Sequence, residues 1–268
     1  MTLRALYADL DGTLLGPGGS LYAVPSGLSE RGAEAVAAVH RAGVALVLVS
    51  GRTREQMREA GRILWARAAI AELGALVVER DEAFTETVVT NYGAYTGDAT
   101  PFDAMAHSGA GGFLLERYSG ALEPHTPWAF QDREATMLFR GHLDPAEATI
   151  ALADSGYDWL ELLDNGVIKR SYDTLDMPEV RAYHLVPRGV NKATGVAMHM
   201  ERNGWKPQET SAVGDSLSDA QMASAVGRTF IVGGGDSALA EDQPDNLTIL
   251  DAPAGDGFAH AVERLGIN

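Results

Sequence analysis

The segment Val44-Ala45-Leu46-Val47-Leu48-Val49 constrains the fold most, because it is apolar without interruption. A strand with one wet face alternates apolar and polar residues; a strand covered on both faces does not. Helical patterns flank this one. The first spans 29–41, with Ser29 as cap and a stop near Gly43, and the second spans about 54–67. Residues 3–8 read as an earlier buried strand and 69–73 as a later one, with a hairpin-like stretch following through Val89. This βαβαβ order implies a parallel sheet with right-handed crossovers.

The alternation stops near Asn91, where Gly, Thr, Pro and aromatic residues become frequent. Residues 136–142 read as a strand and 144–154 as a helix. Asp164-Asn165-Gly166 reads as the turn of a hairpin between 159–163 and 167–171, and 180–186 as a further strand. The parallel pattern then resumes. A helix over 191–203 is stopped by Gly204, a strand covers 210–213 and a helix 218–226. Strands at 229–232 and 247–250 precede a last helix over 257–265. We therefore expect an α/β fold: a doubly wound parallel-sheet core from residues 1–89 plus 187–268, with an inserted α+β cap domain at 90–186.

In open parallel sheets, ligands sit beyond the carboxyl ends of the strands. Four segments put polar residues there. The first strand ends in Asp9-Leu10-Asp11-Gly12-Thr13. Positions i and i+2 of a strand point to one side, so Asp9 and Asp11 are expected to face one spot, where their repulsion calls for a cation or a shared proton. The second strand leads into Ser50-Gly51-Arg52, Lys192 opens the helix after the insert, and the next strand ends at Asp215 with Asp219 four residues on. Taken singly, Ser50-Gly51 reads as an ordinary strand-to-helix turn and Lys192 as a solvated lysine, while for Asp215 and Asp219 a role as charges that complement a helix dipole stands even with a functional one. Their joint occurrence at the ends of neighbouring strands is what points to chemistry.

Composition narrows the partners. The 268 residues carry a formal charge of −16, which argues against nucleic acid and anionic membrane surfaces as partners. No apolar run approaches the roughly 20 residues that span a bilayer. The chain enters a strand with no basic leader and contains no cysteine, so a cytoplasmic location is expected. Only three of its 21 basic residues are lysines: Lys169, Lys192 and Lys206.

Together these motifs resemble the haloacid dehalogenase-like hydrolases. They are Asp-x-Asp-Gly-Thr-Leu at the first strand, Val-Ser-Gly-Arg at the second, Gly-Val-Asn-Lys before a helix, and Gly-Asp-x-x-x-Asp. Their spacing is similar to the branch with a large α+β cap between the second and third motifs, which includes Cof-like, sucrose-phosphatase-like and mannosyl-3-phosphoglycerate-phosphatase-like enzymes. The resemblance implies an Mg²⁺-dependent phosphatase acting on a small phosphorylated metabolite, with sugar phosphates and sugar-phosphoglycerates favoured. By position, it implies Asp9 as the nucleophile that becomes an aspartyl phosphate and Asp11 as the acid and then the base. Ser50 and Lys192 would hold the phosphoryl oxygens, with Gly51 and Arg52 beside the substrate. Asp9, Asp215 and the Asp11 carbonyl would bind Mg²⁺, with Asp219 supporting its shell. A phosphomutase or phosphotransferase uses the same aspartyl phosphate, and a non-catalytic phospho-sensor also pairs an Asp with a Lys; the insert and Asp11 count against the sensor.

Two positions depart from the branch. Ser218 stands where Asn is common before the second metal-site aspartate, and Leu73-Gly74 replaces a frequent Asn-Gly. Arg133, Arg140 and Arg170 of the insert offer a grip for a second anionic group such as a carboxylate, although solvated arginines are the stronger reading. Val232-Gly233-Gly234-Gly235-Asp236 imitates a dinucleotide-binding turn, but Ala238 occupies its last glycine site, so a plain loop is expected. Trp128 and Trp159 read as packing residues of the insert.

Overall fold

A computed structural model describes residues 2–83, 85–168, 170–234 and 243–267. Contacts divide the chain into two units, Met1–Asn91 with Asn191–Asn268, and Tyr92–Val190. The second unit therefore runs four residues past the boundary expected at 186, because its last strand extends to Pro187 and a turn follows in which Val190 N–H donates to the Pro187 carbonyl.

The first unit opens with β1 (Ala5–Ala8), a small β2/β3 hairpin (Ala23–Val24, Gly27–Leu28), α1 (Arg31–Arg41), β4 (Ala45–Val49), α2 (Arg54–Ile63), β5 (Ala68–Ala71), β6 (Leu76–Arg80) and β7 (Glu86–Thr90). In the second unit come α3 (Pro101–Ser108), α4 (Ala110–Arg117), β8 (Leu122–Pro124), β9 (Met137–Gly141), α5 (Pro145–Asp154), β10 (Leu160–Val167) and β11 (Arg181–Pro187). The first unit is completed by α6 (Lys192–Asn203), β12 (Thr210–Gly214), α7 (Leu217–Ala220), β13 (Arg228–Ile231), β14 (Leu247–Ile249) and α8 (Ala254–Arg264).

Its main sheet runs β14-β13-β12-β1-β4-β5-β6-β7, parallel from β14 to β5 and antiparallel from there to the β7 edge. β1 and β4 are buried along nearly their whole length, as uninterrupted apolar strands require. One core cluster joins Tyr7, Val47, Val49, Ile70 and Ala212 to Val196 and Met200 of α6. The second unit is a four-stranded antiparallel sheet, β10-β11-β9-β8, whose Phe139, Leu162 and Tyr183 pack with Met105, Leu114 and Leu152 of its three helices. No described helix is long and apolar enough to cross a membrane.

Several local expectations change. Glu30 takes the cap position of α1 without a side-chain bond, while the Ser29 hydroxyl, one residue earlier, accepts from Arg31 N–H at 3.4 Å and donates to Asp256 across to α8. α2 stops at Ile63, and Trp65 turns the chain in a left-handed conformation (φ 58°). Asp164-Asn165-Gly166 is not a hairpin turn. β10 runs straight through it against β11, with a bulge between Asp164 and Val167. The Asp164 carboxylate accepts from Gly166 N–H at 2.8 Å and from Arg181 Nε at 2.6 Å, which satisfies the bulge locally. Of the glycine-rich run at 232–236, Gly235 and Asp236 lie outside the described residues, as do Ala238 and Lys169.

Candidate active site

Sheet register decides which residues meet. Ala8 of β1 stands beside Leu48 of β4 and Val213 of β12, and all three strands run the same way. One step further along lie Asp9, Val49 and Gly214, and then the loops carrying Ser50 and Asp215. Three chain segments far apart in sequence thus end side by side because the sheet is parallel here.

Asp9 is 4% exposed, and its N–H donates to the Val213 carbonyl at 2.9 Å. Lys192, on the first turn of α6 and 2% exposed, donates from Nζ to Asp9 Oδ1 at 2.9 Å and to Asp219 Oδ1 at 2.7 Å. Asp9, Asp215 and Asp219 place carboxylate oxygens within 4.8 Å of one another. Burial pushes the Asp9 carboxyl well above its usual range; Lys192 pulls it back, and Asp219, Asp215 and Asp11 add to the rise. Burial alone would lower the Lys192 ammonium, but Asp219 and Asp9 hold it above an ordinary lysine. If ionised, the three carboxylates face one ammonium, which leaves two negative charges uncompensated. An all-oxygen donor set with that deficit fits a hard divalent cation such as Mg²⁺.

The two carboxylates of the first motif do not share one spot. β1 ends at Ala8, and the chain closes a tight loop in which Thr13 N–H and Leu15 N–H both donate to the Leu10 carbonyl. The two-residue side alternation ends with the strand. Asp11 turns outward instead, 57% exposed, and accepts from Arg52 Nε at 2.7 Å and Nη2 at 2.6 Å. Its side chain stands outside the Asp9–Asp215–Asp219 group. Ser50 is buried, and its hydroxyl accepts from Arg52 N–H at 3.3 Å, so Ser50, Gly51 and Arg52 form one turn beside Asp11.

Gly12 makes the close packing possible. It has φ +90°, and a Cβ there would lie 2.0 Å from Asp215 Oδ2. On the α6 side, Gly74 (φ +108°) lies so close to the helix start that its Cβ would meet the Asn191 carbonyl oxygen at 2.0 Å. Leu73, the departure from Asn-Gly noted above, sits in the left-handed region at φ 58° and is buried. Asn91 ties this turn down, donating to the Gly74 carbonyl at 3.1 Å and to Thr194 Oγ1 at 3.0 Å. Asn191 caps α6 through Thr194 and so sets where Lys192 begins.

Asp219 is held from one side. Its Oδ2 accepts from Ser216 Oγ at 2.6 Å, Ser216 N–H at 3.1 Å and Asp215 N–H at 3.3 Å. Ser218 lies beside this knot, with its hydroxyl 2.9 Å from that of Ser216. Ser216 had no place among the sequence candidates. Its signal is a capping box, Ser-x-x-Asp at 216–219, hidden because Asp219 was itself a candidate ligand.

In the second unit, Arg140 Nε donates to Glu123 at 2.5 Å while its guanidinium lies 3.8 Å from the Tyr172 ring centre. Arg133 is buried and donates to the Trp128 carbonyl and to Thr136. Burial pushes the His125 imidazole down to about 4, and Arg140, Arg133 and Arg170 add to that. Trp159 packs on the core of this unit, whereas Trp128 is exposed, contrary to expectation.

A family model of haloacid dehalogenase-like hydrolases matches residues 177–261. A phosphoglycolate phosphatase of Natronomonas pharaonis is 33% identical over 120 residues, a match spanning 45% of each chain, so under half the length of that relative is matched. One of Methanosarcina mazei is 25% identical over 269 residues, covering 100% of this chain and 99% of its own. The Synechocystis sucrose-phosphatase, solved with sucrose and phosphate, shares the fold at a TM-score of 0.65 and 15% identity, over 99% of both chains. All four sequence motifs are present, the matched region carries Lys192, Asp215 and Asp219, and the chain is similar to the haloacid dehalogenase-like hydrolases in that region and in its fold.

Proposed function

We propose that this protein is an Mg²⁺-dependent phosphatase that hydrolyses a small phosphorylated metabolite through an aspartyl phosphate on Asp9. The observation that carries this reading is the buried Lys192 ammonium joined to both Asp9 and Asp219, with Asp215 alongside. Such a constellation costs stability, and with a divalent cation offsetting its excess negative charge it would suit a dianionic phosphoryl group.

In the proposed reaction an Asp9 oxygen attacks phosphorus as the ester P–O bond breaks, and Asp11 gives its proton to the leaving oxygen. Water then adds to phosphorus and passes a proton to Asp11. The Asp9–phosphorus bond breaks, phosphate leaves and the carboxylate is restored. Lys192 and Ser50 hold the phosphoryl oxygens; Arg52 holds the Asp11 carboxylate through two hydrogen bonds, and this pair must open for Asp11 to carry a proton to the leaving oxygen. Asp9, Asp215 and the Asp11 carbonyl would hold Mg²⁺, which neutralises charge on the phosphoryl group and on the nucleophile. Asp219, with Oδ2 committed to Ser216, shapes that arrangement.

The curated relatives carry the name phosphoglycolate phosphatase, and a fold neighbour is a sucrose-phosphatase. Phosphoglycolate and sugar phosphates are therefore the first esters to assay, and the charge of −16 makes nucleic acid an unsuitable partner. A cytoplasmic location is part of the same proposal. Asp9→Asn should abolish phosphate release while leaving the circular dichroism spectrum unchanged. Undiminished turnover in that variant would overturn the mechanism.

A further inference from the structure

Two buried polar side chains outside the reaction above face each other: Tyr7 on β1, 0% exposed, and His199 on α6, 2% exposed. Tyr7 Oη lies 2.9 Å from His199 Nδ1. The imidazole Nε2 faces Glu79 Oε1 at 3.7 Å, and Trp205 packs edge-on to the ring at 5.4 Å. With the imidazole proton assigned to Nε2, the side that faces the Glu79 carboxylate, Nδ1 is the acceptor and the Tyr7 hydroxyl donates to it.

These residues stand in register with the reacting groups. Tyr7 precedes Asp9 by two positions, about 6.6 Å along the strand. His199 follows Lys192 by seven, which is two turns and about 10.5 Å along the helix, at nearly the same azimuth. The same two elements are thus joined twice on facing sides, by Lys192–Asp9 at the catalytic end and by His199–Tyr7 behind it. Between these points Val196 packs in the apolar cluster with Tyr7, Ile70 and Val77, Thr194 bonds Asn91 at the helix start, and beyond His199 Arg202 and Asn203 reach Glu79 of β6, so Tyr7–His199 is the buried polar tie to β1 itself. Apolar packing has no preferred direction, so it sets the spacing of helix and sheet but tolerates rotation and sliding. A buried hydrogen bond does not.

We propose that Tyr7 and His199 are positioning residues: their hydrogen bond fixes the rotation and axial register of α6 on β1, and so places Lys192 Nζ between Asp9 and Asp219. The inference rests on the phosphatase reading for its kinetic consequence but not for its geometry.

The test uses Tyr7→Phe, which keeps the ring and removes the hydroxyl, and the double variant Tyr7→Phe/His199→Leu. The single variant leaves His199 Nδ1 buried without a donor and so loses stability and positioning together. The double variant removes both polar partners and recovers thermal stability. Measured well below either midpoint, both variants should lose about tenfold to a hundredfold in kcat for a phosphate ester that wild type hydrolyses. The double variant should stay slow although its midpoint returns. If kcat follows the midpoint back to wild type, or never falls in fully folded Tyr7→Phe, the bond is merely structural and the proposal fails. Should wild type hydrolyse no ester, the phosphatase reading fails instead. Crystal structures of the variants then decide the inference: Lys192 Nζ should leave hydrogen-bonding distance of Asp9 or Asp219, and an unmoved Lys192 overturns it.

Discussion

Replacing Lys192 with methionine isolates the cost of the buried charge cluster. The stem keeps its length and apolar packing, but two charge-assisted hydrogen bonds disappear. Asp219 retains three donors from Asp215 and Ser216, so the loss falls mainly on the buried Asp9. Breaking a buried pair by removing one partner costs about 3–5 kcal/mol, because the remaining charge is left uncompensated. The protein can reduce that cost by protonating Asp9. Burial already raises this carboxyl, and the variant lacks the ammonium that pulled it down. Above the unfolded-state value near 3.8, the folded variant holds a proton that the unfolded chain has released. Its stability is therefore highest at acidic pH and is lost as pH rises through the folded value, by up to about 1.4 kcal/mol per pH unit. Lys192 stays charged in wild type over this range, since its own value is raised. Urea unfolding in chelator at about pH 5.5 and about pH 8.5 should show the gap between the two proteins widening with pH. Activity should fall by a factor on the order of 10²–10³, as for removal of a preorganised donor. A stability loss below about 1 kcal/mol, or a gap independent of pH, would refute the placement of Lys192 as the counter-charge of Asp9.

Other perturbations probe the same site from different sides. Gly12→Ala puts a Cβ 2.0 Å from Asp215 Oδ2 at φ +90°, so Asp215 must move. It should cost about 1–2 kcal/mol in urea unfolding and cut kcat/KM at least about a hundredfold. Wild-type activity there would mean that Asp215 is not needed where it stands. Chelation should abolish phosphate release, and Mg²⁺ should restore it and raise the melting temperature; saturation at about 100 times Kd corresponds to about 2.7 kcal/mol. Asp215→Asn should weaken that thermal shift, and an identical shift in the variant would remove Asp215 from the ion's ligands.

Reading the chain in order goes far at the sheet. Uninterrupted apolar segments such as 44–49 can persist only between two covered faces, so the parallel core is legible before any contact is known. The same logic fails beyond the last residue of a strand. Asp9 and Asp11 share a side only while the chain stays extended, and it does not after Ala8. Asp164-Asn165-Gly166 has the composition of a hairpin turn, yet pairing with β11 and the bond to Arg181 keep it within a strand as a bulge. Turn chemistry is local, and pairing along a whole strand can outweigh it.

Order along the chain was enough to single out Asp9, Ser50, Lys192, Asp215 and Asp219, because each lies where a strand ends or a helix begins. The sequence also carries the kind of chemistry, since carboxylates and one lysine at such places suit phosphoryl transfer. Only the tertiary structure decided how those groups divide. Parallel register brings Asp215 and Asp219 to Asp9, Lys192 joins two of the three, and Arg52 draws Asp11 away into its own pair. It alone paired Tyr7 with His199, residues 192 positions apart with no pattern linking them. The reason is physical. Periodicity encodes which face of an element is buried, whereas a hydrogen bond or ion pair depends on the distance between elements, and only packing sets that distance.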